Sequence, residues 1–92
     1  MTRIAVVTGV SRTTGIGYAI ARRLLMEGYN IHATWHSENS AQAELDRDYP
    51  GRTTFHKVDF KNPEDLSSLI ERLSALSIQL LVNNAGAFAD ED

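Results

Sequence analysis

The stretch VVTGVSRTTGIGYAIA, residues 6 to 21, constrains this chain more than any other. An apolar, β-branched run, RIAVVT at residues 3 to 8, stops at Gly9, and a helical pattern starts at Ile16. Such a run reads as a strand buried on both faces, the kind found in parallel sheets. A loop between a buried strand and a helix N-terminus is an anion site, because free backbone N–H groups and the helix dipole both face it. Gly9 lets the chain turn sharply after the strand, Gly15 lets the backbone approach a pyrophosphate, and Gly17 lets the helix pack close to the strand. The competing explanation is a loop whose glycines only permit positive φ. No Gly-Lys-Ser/Thr follows, which argues against a P-loop.

The remaining residues repeat the alternation. Ile16, Ala19, Ile20, Leu24 and Leu25 share a helical face, and Gly28 is a left-handed stop. NIHATW (30 to 35) reads as a second strand, SAQAELDRDY (40 to 49) as a short helix cut by Pro50-Gly51, and TTFHKVDF (53 to 60) as a third strand. Asn62-Pro63-Glu64-Asp65 supplies a cap, a first-turn proline and acids at the positive end of a dipole. Leu66, Leu69, Ile70, Leu73 and Leu76 follow at helical spacing, and IQLLVN (78 to 83) reads as a fourth strand. This βαβαβαβ order predicts an α/β, Rossmann-type doubly wound parallel sheet, here partial, with four strands in order 3-2-1-4.

Ninety-two residues amount to at most one domain. The net charge of -3 is spread over interspersed acids and bases, so neither a basic stripe for nucleic acid nor a cationic cluster for membrane is present. There is no cysteine, which excludes disulfides and thiol chemistry. The N-terminal apolar stretch is too short for a signal peptide or a membrane span, and a soluble cytoplasmic protein is expected. His32 and His36, four residues apart on a strand, would stand roughly 13 Å apart, too far to share a metal, and His56 is read as lying elsewhere.

Three segments together carry a resemblance. TGVSRTTGIG (8 to 17) resembles the Thr-Gly-x-x-x-Gly-x-Gly loop of short-chain dehydrogenases/reductases, NNAG (83 to 86) falls at the end of the fourth strand as that family's motif does, and VDF (58 to 60) resembles its aspartate after the third strand. The chain is similar to the N-terminal half of the family. Within it, GVSR and SENSAQAELD look most like a β-ketoacyl-acyl-carrier-protein reductase. The resemblance implies that residues 1-92 are the dinucleotide-binding part of a Rossmann domain whose full-length parent moves hydride between NADPH and a carbonyl or alcohol, a 3-oxoacyl thioester being one candidate. It implies that Asp59 meets the adenine amino group and that Asn83, Asn84, Ala85 and Gly86 line the adenosine-ribose side. For Asp59 a strand-end cap is the alternative, and for the asparagines simple turn chemistry.

Two departures matter. Five residues lie between Gly9 and Gly15 where the family has three, which predicts a bulge within Arg12-Thr13-Thr14. The longer loop is closer to the enoyl-acyl-carrier-protein reductase branch, which normally lacks NNAG. The family's chemistry also needs a serine and a Tyr-x-x-x-Lys pair; four residues after Tyr18, Tyr29 and Tyr49 stand Arg22, Ala33 and Thr53. The resemblance places the catalytic residues beyond Asp92, so no catalytic residue and no metal ligand is assigned here. A stand-alone nucleotide-binding or interaction module without turnover is the other reading.

Cofactor choice turns on the end of the second strand. An acid there suits the ribose 2′-hydroxyl of NAD, and positive charge suits the 2′-phosphate of NADP. Thr34, Trp35, His36 and Ser37 offer no acid before Glu38, and Arg12 stands in the glycine loop. NADP is therefore expected over NAD, held by Gly9, Ser11, Arg12, Gly15, Ile16, Gly17, His36, Ser37, Asp59, Asn84, Ala85 and Gly86. Trp35 would stack near adenine or cover the sheet. The apolar fourth strand predicts self-association through an unpaired edge.

Overall fold

A computed structural model describes residues 2–84. Its elements run β1 (Arg3–Val7), α1 (Ile16–Met26), β2 (Tyr29–Trp35), α2 (Ala41–Asp48), β3 (Thr53–Lys57), α3 (Pro63–Leu73) and β4 (Leu80–Val82). All strand pairs are parallel, in the order β3-β2-β1-β4. The doubly wound arrangement read from the sequence is the one observed.

Strand alternation divides the side chains between two faces. Ala5 and Val7 of β1 and Ile31 and Ala33 of β2 pack with Ala21 and Leu25 of α1 and Ala41 and Leu45 of α2, all nearly solvent-free. The opposite face carries Val6, His32 and His56, with Arg72 of α3 reaching His56. This division follows from handedness. The first two crossovers step from β1 toward β3 and place their helices on one face. The third steps back past β2 and β1, and a right-handed crossover in that direction puts α3 on the other face.

The apolar face expected of α1 is met in part: Leu25 is buried and Ile20 and Leu24 pack against the core, whereas Ile16 and Ala19 are exposed. Gly17, Ala21 and Leu25 are buried, whereas Ile16 is 63% exposed. The small residues face the sheet because the start of α1 comes close to the loop after β1. A Cβ on Gly17 would stand 2.2 Å from the Gly9 carbonyl oxygen, inside any tolerable contact. On α3 only Leu69 is buried, while Leu66 and Ile70 remain exposed.

β1 ends one residue early and α2 loses one residue at each end, and three further elements are shorter than expected, each for a local reason. β3 ends at Lys57 rather than Phe60: β2 stops at Trp35, whose carbonyl accepts the Val58 N–H, and the Asp59 N–H then turns to the Asp65 carboxylate at 3.0 Å. β4 begins at Leu80 rather than Ile78. There the Gln79 side chain accepts the Ile4 N–H at 2.7 Å, so a side-chain oxygen stands in for a ladder carbonyl. α3 ends at Leu73, where the Ser74 hydroxyl donates to the Glu71 carbonyl, and Leu76 lies in the following turn.

His56 is not remote from His32. The strand register sets their rings stacked, 5.2 Å between centroids, with His32 Nδ1 3.0 Å from His56 Nε2. The Arg72 guanidinium, which can only donate, lies 3.2 Å from His56 Nδ1. That arrangement assigns His56 the Nε2–H tautomer, donating to an unprotonated His32 Nδ1. Burial pushes both imidazoles below their ordinary value, and for His56 the neighbouring His32 and Arg72 add to it. Among the described residues no group of three or more His, Cys, Asp or Glu side chains is placed to hold a metal.

Candidate functional site: a cleft at the carboxyl ends of the strands

The winding direction reverses between β1 and β4, and in open parallel sheets ligands bind outside the carboxyl ends of the strands at such a point. The residues just beyond these two strands are tied together here. The Asn84 N–H donates to the Thr8 hydroxyl at 2.8 Å, that hydroxyl lies 3.0 Å from Asn83 Oδ1, and Asn84 Nδ2 donates to the Gly9 carbonyl at 3.2 Å. β2 supplies the other wall. The Gly9 N–H donates to Thr34 Oγ1 at 3.1 Å and the Val10 N–H to the Thr34 carbonyl at 2.8 Å. Gly9 itself has φ 78°, a conformation that glycine adopts without strain. The loop after β1 is thus pinned on both sides.

The additional loop residues form a tight turn. The Gly15 N–H donates to the Arg12 carbonyl at 3.0 Å, so Arg12 to Gly15 close on themselves, and Thr13 and Thr14 are exposed. Gly15 then occupies the N-cap of α1, with no side-chain cap and no acid in the first turn. No carboxylate of the helix's own competes for the positive end of its dipole.

Two cavities adjoin at this place, sharing Gly9, Ser11 and Asn84. One, of about 200 Å³, is walled also by Thr34, Trp35, His36, Val58 and Phe60. The other, of about 470 Å³, is walled also by Arg12, Gly15, Ile16, Ser37 and Glu38. Gly17 is buried beneath the loop. Asp59 lies between two wall residues, its Oδ1 accepting the Lys61 N–H at 2.9 Å and its Oδ2 3.6 Å from His36 Nε2. One carboxylate oxygen therefore performs the turn-capping role while the other faces His36. Ala85 and Gly86 lie outside the described residues.

Thr34, Val58, Phe60 and Glu38 also belong to the walls and were not among the expected site residues. The alternation within β2 and β3 could have suggested Thr34 and Val58, which the strand direction carries to the same end. Arg12 is not a free cation: its Nε lies 3.2 Å from Glu38 Oε1.

The pinned loop, the uncapped helix and the two adjoining cavities fit a dinucleotide: an N-terminus for the pyrophosphate and a half-open pocket for a flat ring. Comparison with known proteins agrees. A family model described as short chain dehydrogenase matches residues 3–92. The chain belongs to the short-chain dehydrogenase family. It is 40% identical over 91 residues to the 3-oxoacyl-acyl-carrier-protein reductase FabG of Escherichia coli (strain K12), covering 96% of this chain and 36% of that protein. It is 36% identical to (+)-neomenthol dehydrogenase of Arabidopsis thaliana, covering 91% of this chain and 30% of that one. Among solved structures, one described as a short-chain dehydrogenase/reductase from Burkholderia multivorans with bound NADP superposes with a TM-score of 0.81 at 27% identity, over 91% of this chain and 36% of that chain. This family member thus spans about a third of the length of the curated relatives it matches. Among its described residues no helix is long and apolar enough to cross a membrane.

Proposed function

We propose that residues 1-92 form the NADP-holding part of an oxidoreductase that moves hydride between NADPH and a carbonyl or alcohol, with a 3-oxoacyl thioester as the candidate substrate. The observation that carries this reading is the convergence of the uncapped α1 N-terminus, the pinned glycine loop and Arg12 on one cleft. The NADP-bound relative and the reductase at 40% identity support it.

In this account the first-turn N–H groups of α1 bind the pyrophosphate, with Gly15 keeping the approach clear of a side chain and Gly17 keeping the helix against the loop. Trp35, Val58 and Phe60 enclose the adenine, with Asp59 at its amino group. Asn84 and the adjacent Ala85 and Gly86 border the adenosine ribose. Arg12, with Ser37 and His36 beside it, receives the 2′-phosphate. The nicotinamide, when bound, supplies the hydride; the proton comes from residues that these 92 do not contain, since no Tyr-x-x-x-Lys occurs in them. Without that donor this chain alone turns over no substrate. β4 has β1 as its only partner among the described residues, and Leu81 is 64% exposed, which supports association through that edge.

The test is binding of NADP⁺ and NAD⁺ before and after Arg12→Ala. The reading expects the ratio of NADP⁺ to NAD⁺ affinity to fall. An unchanged ratio makes Arg12 a solvated loop residue and removes the basis for NADP over NAD.

A further inference from the structure

The face of the sheet beneath α3 carries a chain of nitrogen atoms that the dinucleotide cleft does not use. The Arg72 guanidinium donates to His56 Nδ1 at 3.2 Å, and His56 Nε2–H donates to His32 Nδ1 at 3.0 Å. Both acceptor nitrogens must be unprotonated. One added proton defeats the chain in every tautomer. On His56 Nδ1 it sets a donor against the guanidinium. On His32 Nδ1 it sets two donors face to face, unless His56 moves its own proton to Nδ1, which again faces the guanidinium. A protonated pair therefore keeps the bond between its rings only by releasing Arg72. No other charge intervenes. Strand alternation puts the uncharged Val6, Asn30, Thr34 and Thr54 on this face. Lys57 lies over the Trp35 ring on the opposite face, and Arg52 donates to Asn30 and to the Leu25 and Tyr29 carbonyls. Of the acids on α3, Asp65 accepts the Asp59 N–H, and Glu64 and Glu71 make no ion pair among the described residues.

Release of Arg72 matters because α3 has few other ties. Leu69 is its only buried residue, and among the described residues its one further side-chain bond beyond its own cap is from the Asp59 N–H to Asp65. Asp65, Leu69 and Arg72 stand at i, i+4 and i+7, on one face along about 10 Å of helix. One end of that face is fixed on the histidines. The other is fixed on the loop carrying Asp59 and Phe60, and Phe60 walls the smaller cavity. We propose that His32, His56 and Arg72 form a proton-operated latch: uptake of one proton by the histidine pair releases Arg72, loosens α3 from the sheet and, through Asp65, slackens the wall of the cleft. Burial holds both imidazoles below their ordinary value in the closed state, and at His56 the neighbouring His32 and Arg72 add to it. Once open and solvated they titrate nearer the ordinary value of about 6.5, so the latch is closed above that pH and opens as the pH falls below it. The latch itself is independent of the dinucleotide reading; its effect on nucleotide binding rests on that reading.

The experiment follows the ¹⁵N-labelled 92-residue chain at pH 7.5 and 5.0 as wild type, Arg72→Met and Arg72→Lys. Imidazole nitrogen signals report protonation and tautomer, amide exchange corrected for its intrinsic pH dependence reports opening, and NAD⁺ affinity reports the cleft. NAD⁺ is the probe because the phosphomonoester of NADP⁺ itself titrates near pH 6. Arg72 is exposed, so neither replacement disturbs the core, and lysine keeps a donor-only cation where methionine does not. On acidification the opening of the α3 and Asp59 amides should rise about tenfold more in wild type than in Arg72→Met, and NAD⁺ affinity should fall about threefold more. Arg72→Lys should follow the wild type. His36, exposed beside Asp59, is common to all three chains and cancels in the comparison. Equal responses in wild type and Arg72→Met overturn the latch. An α3 response without an affinity response, where NAD⁺ binds, overturns its link to the cleft. If NAD⁺ binds at neither pH, the dinucleotide reading fails, and the α3 amides still decide the latch.

Discussion

Gly17→Ala places one methyl group where the fold has no room for it. The new Cβ would lie 2.2 Å from the Gly9 carbonyl oxygen, 2.9 Å from the Gly9 carbonyl carbon and 3.0 Å from Asn84 Nδ2, where ordinary contact begins at 3.4 Å. The first two are backbone atoms, and Gly9 is fixed by Thr34 on one side and Asn84 on the other. Relief therefore requires α1 and the loop to separate by about 1.2 Å. Overpacking of this kind costs about 1–3 kcal/mol, and a displaced backbone puts it in the upper part of that range. Alanine's better helix propensity returns up to about 1 kcal/mol. A net loss of about 2 kcal/mol remains, which with a urea dependence of about 1–1.5 kcal/mol per M lowers the midpoint by about 1.3–2 M. Urea unfolding followed by circular dichroism measures it, and nucleotide affinity should fall in parallel as the helix N-terminus withdraws. A variant as stable as wild type would refute the reasoning, since propensity alone would then have decided the outcome.

Three further outcomes follow from other parts of the molecule. Because burial lowers the folded values of His32 and His56, the unfolded chain takes up protons first on acidification. Stability is then fully present above the unfolded value of about 6.5 and declines as pH falls through the folded values, by at most about 1.4 kcal/mol per pH unit per histidine; urea midpoints between pH 7.5 and 5 check this, and a decline undiminished in His56→Phe would contradict it. Asn62→Ala removes the oxygen that accepts the Glu64 N–H at 2.9 Å at the start of α3, and should cost about 1 kcal/mol in the same unfolding assay. Thr34→Val leaves the Gly9 N–H without its partner and should cost about 1–3 kcal/mol while loosening the loop, read as faster amide exchange at Gly9.

The strand order was legible because it depends on patterns that sequence displays directly: apolar runs, helical spacing and the glycines between them. The loop was legible for the same reason, since Gly9 and Gly17 each answer a local steric demand. What escaped depends on register and on distant side chains. His32 and His56 are 24 residues apart and meet only because β2 and β3 pair in one register. Arg12 and Glu38 are 26 apart and meet only because the ends of β1 and β2 are neighbours. The exposure of Ile16 was illegible because hydrophobicity favours burying it, whereas the close approach at Gly9 turns Gly17 and Ala21 to the sheet. Element ends shifted wherever a side chain took over a backbone partner, as Gln79 does at Ile4 and Asp65 at Asp59.

The central claim is that the cleft beyond β1, β2 and β4 holds a dinucleotide. Titrating ¹⁵N-labelled chain with NADP⁺ and following its backbone amide signals tests this most directly. The account predicts saturable shifts confined to Gly9, Ser11, Arg12, Gly15 to Gly17, Thr34 to Glu38, Val58 to Phe60 and Asn84, with the α3 face around His56 unmoved. Signals unchanged at saturating nucleotide, or shifts centred on α3, would contradict it.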